Sequence, residues 1–232
     1  MKTQKNNSAI AALALMAALL VPSLAWAQDE TAEEALKRTT TEVLTVIEEA
    51  ADYVKDDPER YYARVNDVLD DIMDFRGFAR GVMGDYASGE RYRNLNEEER
   101  EELRVQLDRF TDAMREGLVQ AYSRGLLAFG GSRVELDEER SQGSSDGNPD
   151  RASLRQLIYA DGSDPYVVVY QMARNRDGKW LIRNLIVENV NLGQIYRSQF
   201  EASARKFKGD LDKVISDWEI EPVEELEGET EA

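Results

Sequence analysis

From Val43 onward, apolar residues return every three or four positions. Val43, Val46, Ile47, Ala50 and Val54 share one helical face, and the pattern stops at Asp56-Asp57-Pro58. Proline breaks a helix from within, but its fixed φ suits the first position of a new one, and Asp57 can cap that start. A second helix is therefore predicted from Pro58, with Tyr61, Val65, Val68, Leu69 and Ile72 on one face. A short third helix runs from Phe75 through Phe78, Ala79 and Val82 and ends at Gly84. Asn96 with Glu99 three residues on has the form of a capping box. Beyond it Leu103, Leu107, Phe110, Met114, Leu118, Ala121 and Gly125 hold one stripe for about six turns.

After Gly130-Gly131 the period changes to two. Residues 133–139 and 151–159 read as strands around a Ser/Gly/Asn/Pro loop, and 166–174 and 179–187 flank Asp177-Gly178, a two-residue hairpin signal. That turn sets Arg174 opposite Leu181 and Tyr170 opposite Leu185. Val168, Tyr170 and Met172 then share a face with Leu185 and Val187, while Val167, Val169, Ile182 and Ile186 share the other. Both faces are apolar and call for cover by helices, by bound ligand or by both. The chain closes helically. Leu192, Ile195, Tyr196, Gln199, Phe200, Ser203 and Phe207 form one stripe, Gly209 interrupts it, and Leu211, Val214, Ile215 and Trp218 form a shorter one. Helices, then strands, then helices predict an α+β fold: a curved antiparallel sheet of about four strands with several helices packed on it, enclosing an apolar cavity.

The ends of the chain change that picture. Lys2 and Lys5 precede an apolar run from Ala9 to Val21, followed by Pro22 and the small-x-small triplet Ala25-Trp26-Ala27. This is the pattern of a cleaved signal peptide, residues 1–27. Its apolar run, about 13 residues, is too short to cross a bilayer as a helix. The expected organisation is a leader at 1–27, one domain at 28–218, and an acidic, disordered tail at 219–232, which holds seven glutamates and no basic residue. With no cysteine near the cleavage site, lipid attachment there is excluded, and the mature protein is expected to be soluble and exported.

Net charge is −17, so nucleic acid and anionic bilayer surfaces should both repel the chain. It has no cysteine and no histidine. Disulfides, thiolate chemistry and thiolate zinc sites are excluded, and the commonest general base near neutral pH is missing. With 46 carboxylates, neighbours such as Asp70-Asp71 and Asp74, or Glu97 to Glu99, read as solvated helix faces rather than acid–base pairs. The turn at Asp177 lacks the ligand alternation and closing glutamate of a calcium loop. Ser144-Ser145 and Ser153 lie in no nucleophile elbow, and Gly130-Gly131 opens no phosphate-binding helix. No catalytic residue, metal or cofactor is predicted. What stands out is apolar: the stripe from Phe110 to Tyr122, the third helix and the two-sided hairpin together suggest an interior that holds a large apolar ligand.

Two segments carry a family resemblance. Asp74-Phe75-Arg76-Gly77-Phe78-Ala79-Arg80-Gly81-Val82-Met83-Gly84, followed by Tyr86, resembles the Asp-x-x-x-x-Ala-x-x-Val-Leu-Gly segment of the MlaC, or toluene-tolerance, family of periplasmic phospholipid-binding proteins. Gly178-Lys179-Trp180-Leu181-Ile182-Arg183-Asn184-Leu185, then Val187-Glu188-Asn189-Val190-Asn191-Leu192 and Tyr196-Arg197-Ser198-Gln199-Phe200, are similar to that family's Gly-x-Trp-x-Ile-x-Asp-Val, Val-Glu-Gly-Val-Ser and Tyr-Arg-x-Gln-Phe series. Asn184 stands where the pattern has Asp, Asn189 where it has Gly and Asn191 where it has Ser. Asn191 can still cap the next helix, and Asn189 can take the left-handed backbone.

The resemblance implies a periplasmic carrier with a diacyl phospholipid as cargo and an α+β fold clasping the acyl chains. Its implied partners are an outer-membrane lipoprotein complex and an inner-membrane ABC transporter with a lipid-binding periplasmic subunit, in the maintenance of outer-membrane lipid asymmetry. On that basis Phe75, Val82, Phe110, Met114, Leu118, Tyr122, Val168, Tyr170, Met172, Leu185, Val187 and Tyr196 are the expected lipid-lining residues. The head group should stay near solvent with little selectivity, because no basic cluster is present to pair a buried phosphate. Arg197, one turn before Glu201, reads as a structural ion-pair partner rather than a phosphate contact. The alternatives are a cavity enzyme using an Asp or Tyr on a similar scaffold, and a peptide-binding chaperone or adaptor.

Overall fold

The computed structural model describes residues 30–143, 147–159 and 164–220. The predicted leader and residues 221–232 of the predicted tail lie outside them. Helix α1, Ala32–Ala50, begins earlier than the periodicity suggested. Thr31 and Glu34 form a capping box there, and Ala32, Ala35, Leu36 and Thr39 are buried ahead of the Val46 stripe. Helix α2, Pro58–Ile72, is capped by the Asp57 side chain and starts on its proline. Helix α3, Phe75–Met83, is capped by Asp74 and stops at Gly84, whose φ of +56° suits glycine best. A 3-10 turn at Gly84–Ala87 and helix α4, Gly89–Asn94, follow. Neither was visible in the pattern, because α4 buries no residue and so has no stripe to show. Helix α5, Glu97–Leu127, opens with the Asn96–Glu99 box; α6 spans Leu192–Lys206 and α7 Leu211–Ser216.

The strands are β1 Arg133–Leu136, β2 Gln142–Gly143, β3 Arg151–Tyr159, β4 Tyr166–Arg174, β5 Trp180–Val187 and β6 Val190–Asn191. They form an open antiparallel sheet in the order β1-β3-β4-β5-β6, with β2 also on β3. The α+β reading holds, with two short strands added.

The β4–β5 turn corrects the hairpin expectation. Asn175 N–H donates to the Lys179 carbonyl at 2.8 Å, so the loop is three residues, Arg176 to Gly178, with Gly178 at φ +84°. The Asn175 side chain makes the longer loop favourable by accepting from the Asp177 and Lys179 N–H groups at 3.0 and 2.9 Å. Arg174 therefore pairs with Trp180, not Leu181, and Met172 pairs with Ile182. A bulge at Arg183 then shifts the register, so Tyr170 faces Leu185 and Val168 faces Val187 as expected. Ile182 thus joins the face of Met172 and Leu185 instead of the face of Val169 and Ile186.

Cover is one-sided. The buried strand residues Leu154, Gln156, Val168, Met172, Trp180 and Ile182 all belong to one face, here called inner. Leu157, Val167, Val169, Leu181 and Ile186 on the outer face are only half-buried. Three cores result. The first joins α3, α5, α6 and α7 around Phe110, Met114, Tyr196 and Phe200. The second joins the start of α1 and Ile72 to the inner sheet face, and the third joins α1 to α2 around Tyr61. Packing continues past Trp218, whose ring lies 5.0 Å from Phe110, to Ile220 beside Gly117. The sheet meets the helices at the α2–α3 junction. Asp74 N–H donates to the Ile182 carbonyl at 3.0 Å, and the Asp74 carboxylate pairs with Arg183.

Candidate functional site

The residues expected to line a ligand fall on two sides of one boundary. Phe75, Val82, Phe110, Met114, Leu118 and Tyr196 are buried in the first core, with Tyr122 packed against them. Met172 is buried in the second core with Tyr170 against it, and Leu185 touches both cores. Val168 and Val187 face each other across β4 and β5, and neither belongs to a core cluster. The helical side is closely packed. Phe110 and Phe200 meet edge to face at 5.0 Å, and the Tyr122 and Tyr196 hydroxyls are 2.6 Å apart. Burial, reinforced by that hydrogen bond, raises the Tyr196 hydroxyl far above the ordinary tyrosine range.

Tyr122, Tyr170, Leu185 and Val187 keep accessible surface, whereas the other eight are buried. Tyr170, Leu185 and Val187 occupy adjoining positions on the inner sheet face, so a strip of apolar surface follows the boundary there. Desolvation alone raises the Tyr170 hydroxyl far above its usual range. Tyr170 keeps reachable surface on the inner sheet face, between Leu154 and Leu185. Gln156, buried on the same face, donates to Thr40 Oγ1 on α1 at 2.8 Å. The sequence did not single out Gln156, although the alternation Ala152, Leu154, Gln156, Ile158 would have placed it; no turn signal was at hand to fix that strand's register. A separate cavity of about 350 Å³ lies among α4, α5 and α7, lined by Arg91, Leu95, Glu99, Glu102, Leu103, Gln106, Gly209, Asp210, Leu211 and Asp212. It contains none of the twelve expected residues, and its charged rim is unsuited to hydrocarbon.

The motif residues hold this boundary in place. Asp74 accepts from Gly77 N–H at 2.8 Å while pairing with Arg183, and Ala79 and Val82 pack inward. Arg197 bonds Glu201 at 3.0 Å and lies 3.5 Å from Asp85, so it is a structural partner. A Cβ on Gly84 would come within 2.8 Å of the Arg197 guanidinium. Asn189 adopts φ +71°, the left-handed backbone expected of it. The other two departures from the family pattern meet in space. Asn184 accepts from Gly193 N–H and donates to Asn191 Oδ1, both at 3.0 Å, while Asn191 caps α6. An Asp–Ser pair would run the side-chain bond the other way, from hydroxyl to carboxylate, so each asparagine compensates for the other.

Comparison with known proteins gives the chain a family and a fold relative. A family model described as MlaC protein matches residues 37–220. The toluene tolerance protein ttg2D of Pseudomonas putida is 27% identical over 189 residues, which span 82% of this chain and 80% of that protein. The solved structure of a phospholipid-binding protein from Ralstonia solanacearum, in complex with a phospholipid, superposes with a TM-score of 0.64 at 16% identity. It covers 80% of this chain and 93% of its own, a likeness of fold. Among the described residues, no helix is long and apolar enough to cross a membrane.

Proposed function

The chain belongs to the MlaC protein family, and from that premise we propose that it is a soluble periplasmic carrier for a diacyl phospholipid. The reading rests on the accessible apolar strip of Tyr170, Leu185 and Val187 at the boundary between the two cores. Two acyl chains of about 15 methylenes each would cost on the order of 20 kcal/mol to expose to water, so a carrier must replace the bilayer with apolar surface. The side chains flanking the strip supply it. Acyl chains entering there part the sheet from α3, α5 and α6 along Leu185, and the twelve expected residues line the opened space. The head group stays outside, since the strip offers no cation to a phosphate.

In this reading the protein exchanges lipid between an outer-membrane complex and an inner-membrane ABC transporter. A signal peptide at 1–27 brings it to the periplasm. Catalysis would need an acid or base at the strip. The strip itself is Tyr170, Leu185 and Val187, with no carboxylate among them, so the carrier reading is favoured.

The test is to purify the protein from cells without detergent and analyse an organic extract by mass spectrometry. Diacyl phospholipid in near-stoichiometric amount is expected. A lipid-free protein that also fails to take lipid from vesicles would end the carrier reading.

A further inference from the structure

Alternation along β4 points Tyr170 inward at mid-strand, between Leu154 on β3 and Leu185 on β5. Its neighbours two residues away on the same face are Val168 and Met172. The polar group nearest in register is Gln156, paired with Val168, and its amide donates to Thr40. No described residue accepts the Tyr170 hydroxyl proton; desolvation is the sole influence on its titration. A phenol on a largely apolar face with no protein acceptor is free to donate to whatever fills the space before it. This side chain keeps accessible surface on the inner sheet face, so the acceptor has room to come from the cargo.

The cargo's chemistry narrows the choice. Acyl tails carry no acceptor, and the phosphate stays with solvent. The groups between them are the ester carbonyls that join the tails to glycerol. We propose that the Tyr170 hydroxyl donates a hydrogen bond to an acyl-ester carbonyl of the bound lipid, which makes this residue a determinant of specificity for ester-linked over ether-linked lipids. The inference rests on the carrier reading and assigns a linkage preference that an apolar cleft alone cannot have.

The experiment uses the full mature protein, stripped of lipid, and two probes of equal chain length: a diacyl phosphatidylcholine and its dialkyl ether analogue. Displacement of a fluorescent fatty-acid reporter gives both affinities for the wild type and for Tyr170→Phe. One neutral hydrogen bond corresponds to roughly a 3- to 10-fold preference. The wild type should favour the ester by that factor. Tyr170→Phe should lose it, binding ester and ether alike, with ether affinity unchanged. Unfolding of the lipid-free variant should require at least as much urea as the wild type, because the hydroxyl has no protein bond to lose. Equal binding of the two lipids by the wild type, or an unaltered preference in Tyr170→Phe, overturns the inference. Failure of the wild type to bind either lipid overturns the carrier reading itself.

Discussion

Helix α3 contains two glycines whose replacement by alanine should act in opposite directions. At Gly81 an added methyl meets nothing within 4 Å. Gly81→Ala should therefore express only the helix-propensity difference, a gain of about 0.5–1 kcal/mol. At Gly77 the same methyl would overlap the Asp74 carboxylate and the Arg183 guanidinium. The arginine tip can move, but the aspartate is the cap of α3 and accepts from Gly77 N–H. Its displacement forfeits a cap of about 1 kcal/mol. The Asp74–Arg183 pair, with 20% of the aspartate side chain exposed, adds about another 1 kcal/mol. Set against the propensity gain, the net effect of Gly77→Ala is a loss of about 1 kcal/mol, and the two variants should differ by about 2 kcal/mol. Urea unfolding followed by circular dichroism, with equal m-values confirming a shared unfolded state, measures both. In the Arg183→Met background the penalty at Gly77 should shrink, because one of the two displaced partners is already gone. Equal stabilisation by the two alanines would refute the assignment of Gly77 to the helix–sheet junction.

Three further outcomes follow from the same packing. Asn184→Asp should destabilise by about 1–2 kcal/mol, by turning a carboxylate toward Asn191 Oδ1, and adding Asn191→Ser should restore most of the loss; additive effects in a double-mutant cycle would contradict the reciprocal pairing. Burial pushes Tyr61 up to about 12, so the neutral phenol is favoured in the fold; its stabilisation is complete below about pH 10 and falls as pH rises, by about 1.4 kcal/mol at pH 11. Tyr61→Phe should lose about 1 kcal/mol at pH 7 with the bond to the Ser123 carbonyl, yet show a shallower decline between pH 9 and 11 in urea titrations. Leu185→Asp should abolish lipid loading from vesicles while the helical circular dichroism stays close to wild type; loading that persists would place the cargo elsewhere.

Much of the fold was legible because its elements carry their own start and stop signals. Asp57-Pro58, the Asn96–Glu99 box and Gly84 each placed a helix end from local chemistry. Where no stripe or cap drew attention, the pattern was silent: α4 has no fully buried residue, and the first turns of α1 are marked by alanines too small to stand out. The hairpin shows a different limit. Asp177-Gly178 is a sound turn signal, but the Asn175 side chain lengthens the loop by one residue, and the bulge at Arg183 restores the register further along. Positions beyond the bulge, Tyr170 and Leu185 among them, were therefore read correctly, and Ile182 was not. Of the site, the apolar positions followed from periodicity. Gln156 and the orphaned phenol of Tyr170 did not, because a polar atom's want of a partner appears only once its neighbours are in place.

The bulge also makes two layers of this molecule separable by editing. Ile182 and Asn184 pair with Met172 and Gln171, which are consecutive, so excising Arg183 would join two positions already in step across the strand boundary. Every inward-facing residue of the hairpin would keep its orientation, and the only thing removed would be the guanidinium that reaches sideways to Asp74. A single-codon deletion would thus remove the ion pair between the helical half and the sheet while the Asp74 N–H bond to the Ile182 carbonyl stays, a separation no substitution at Asp74 achieves, because that residue also begins a helix.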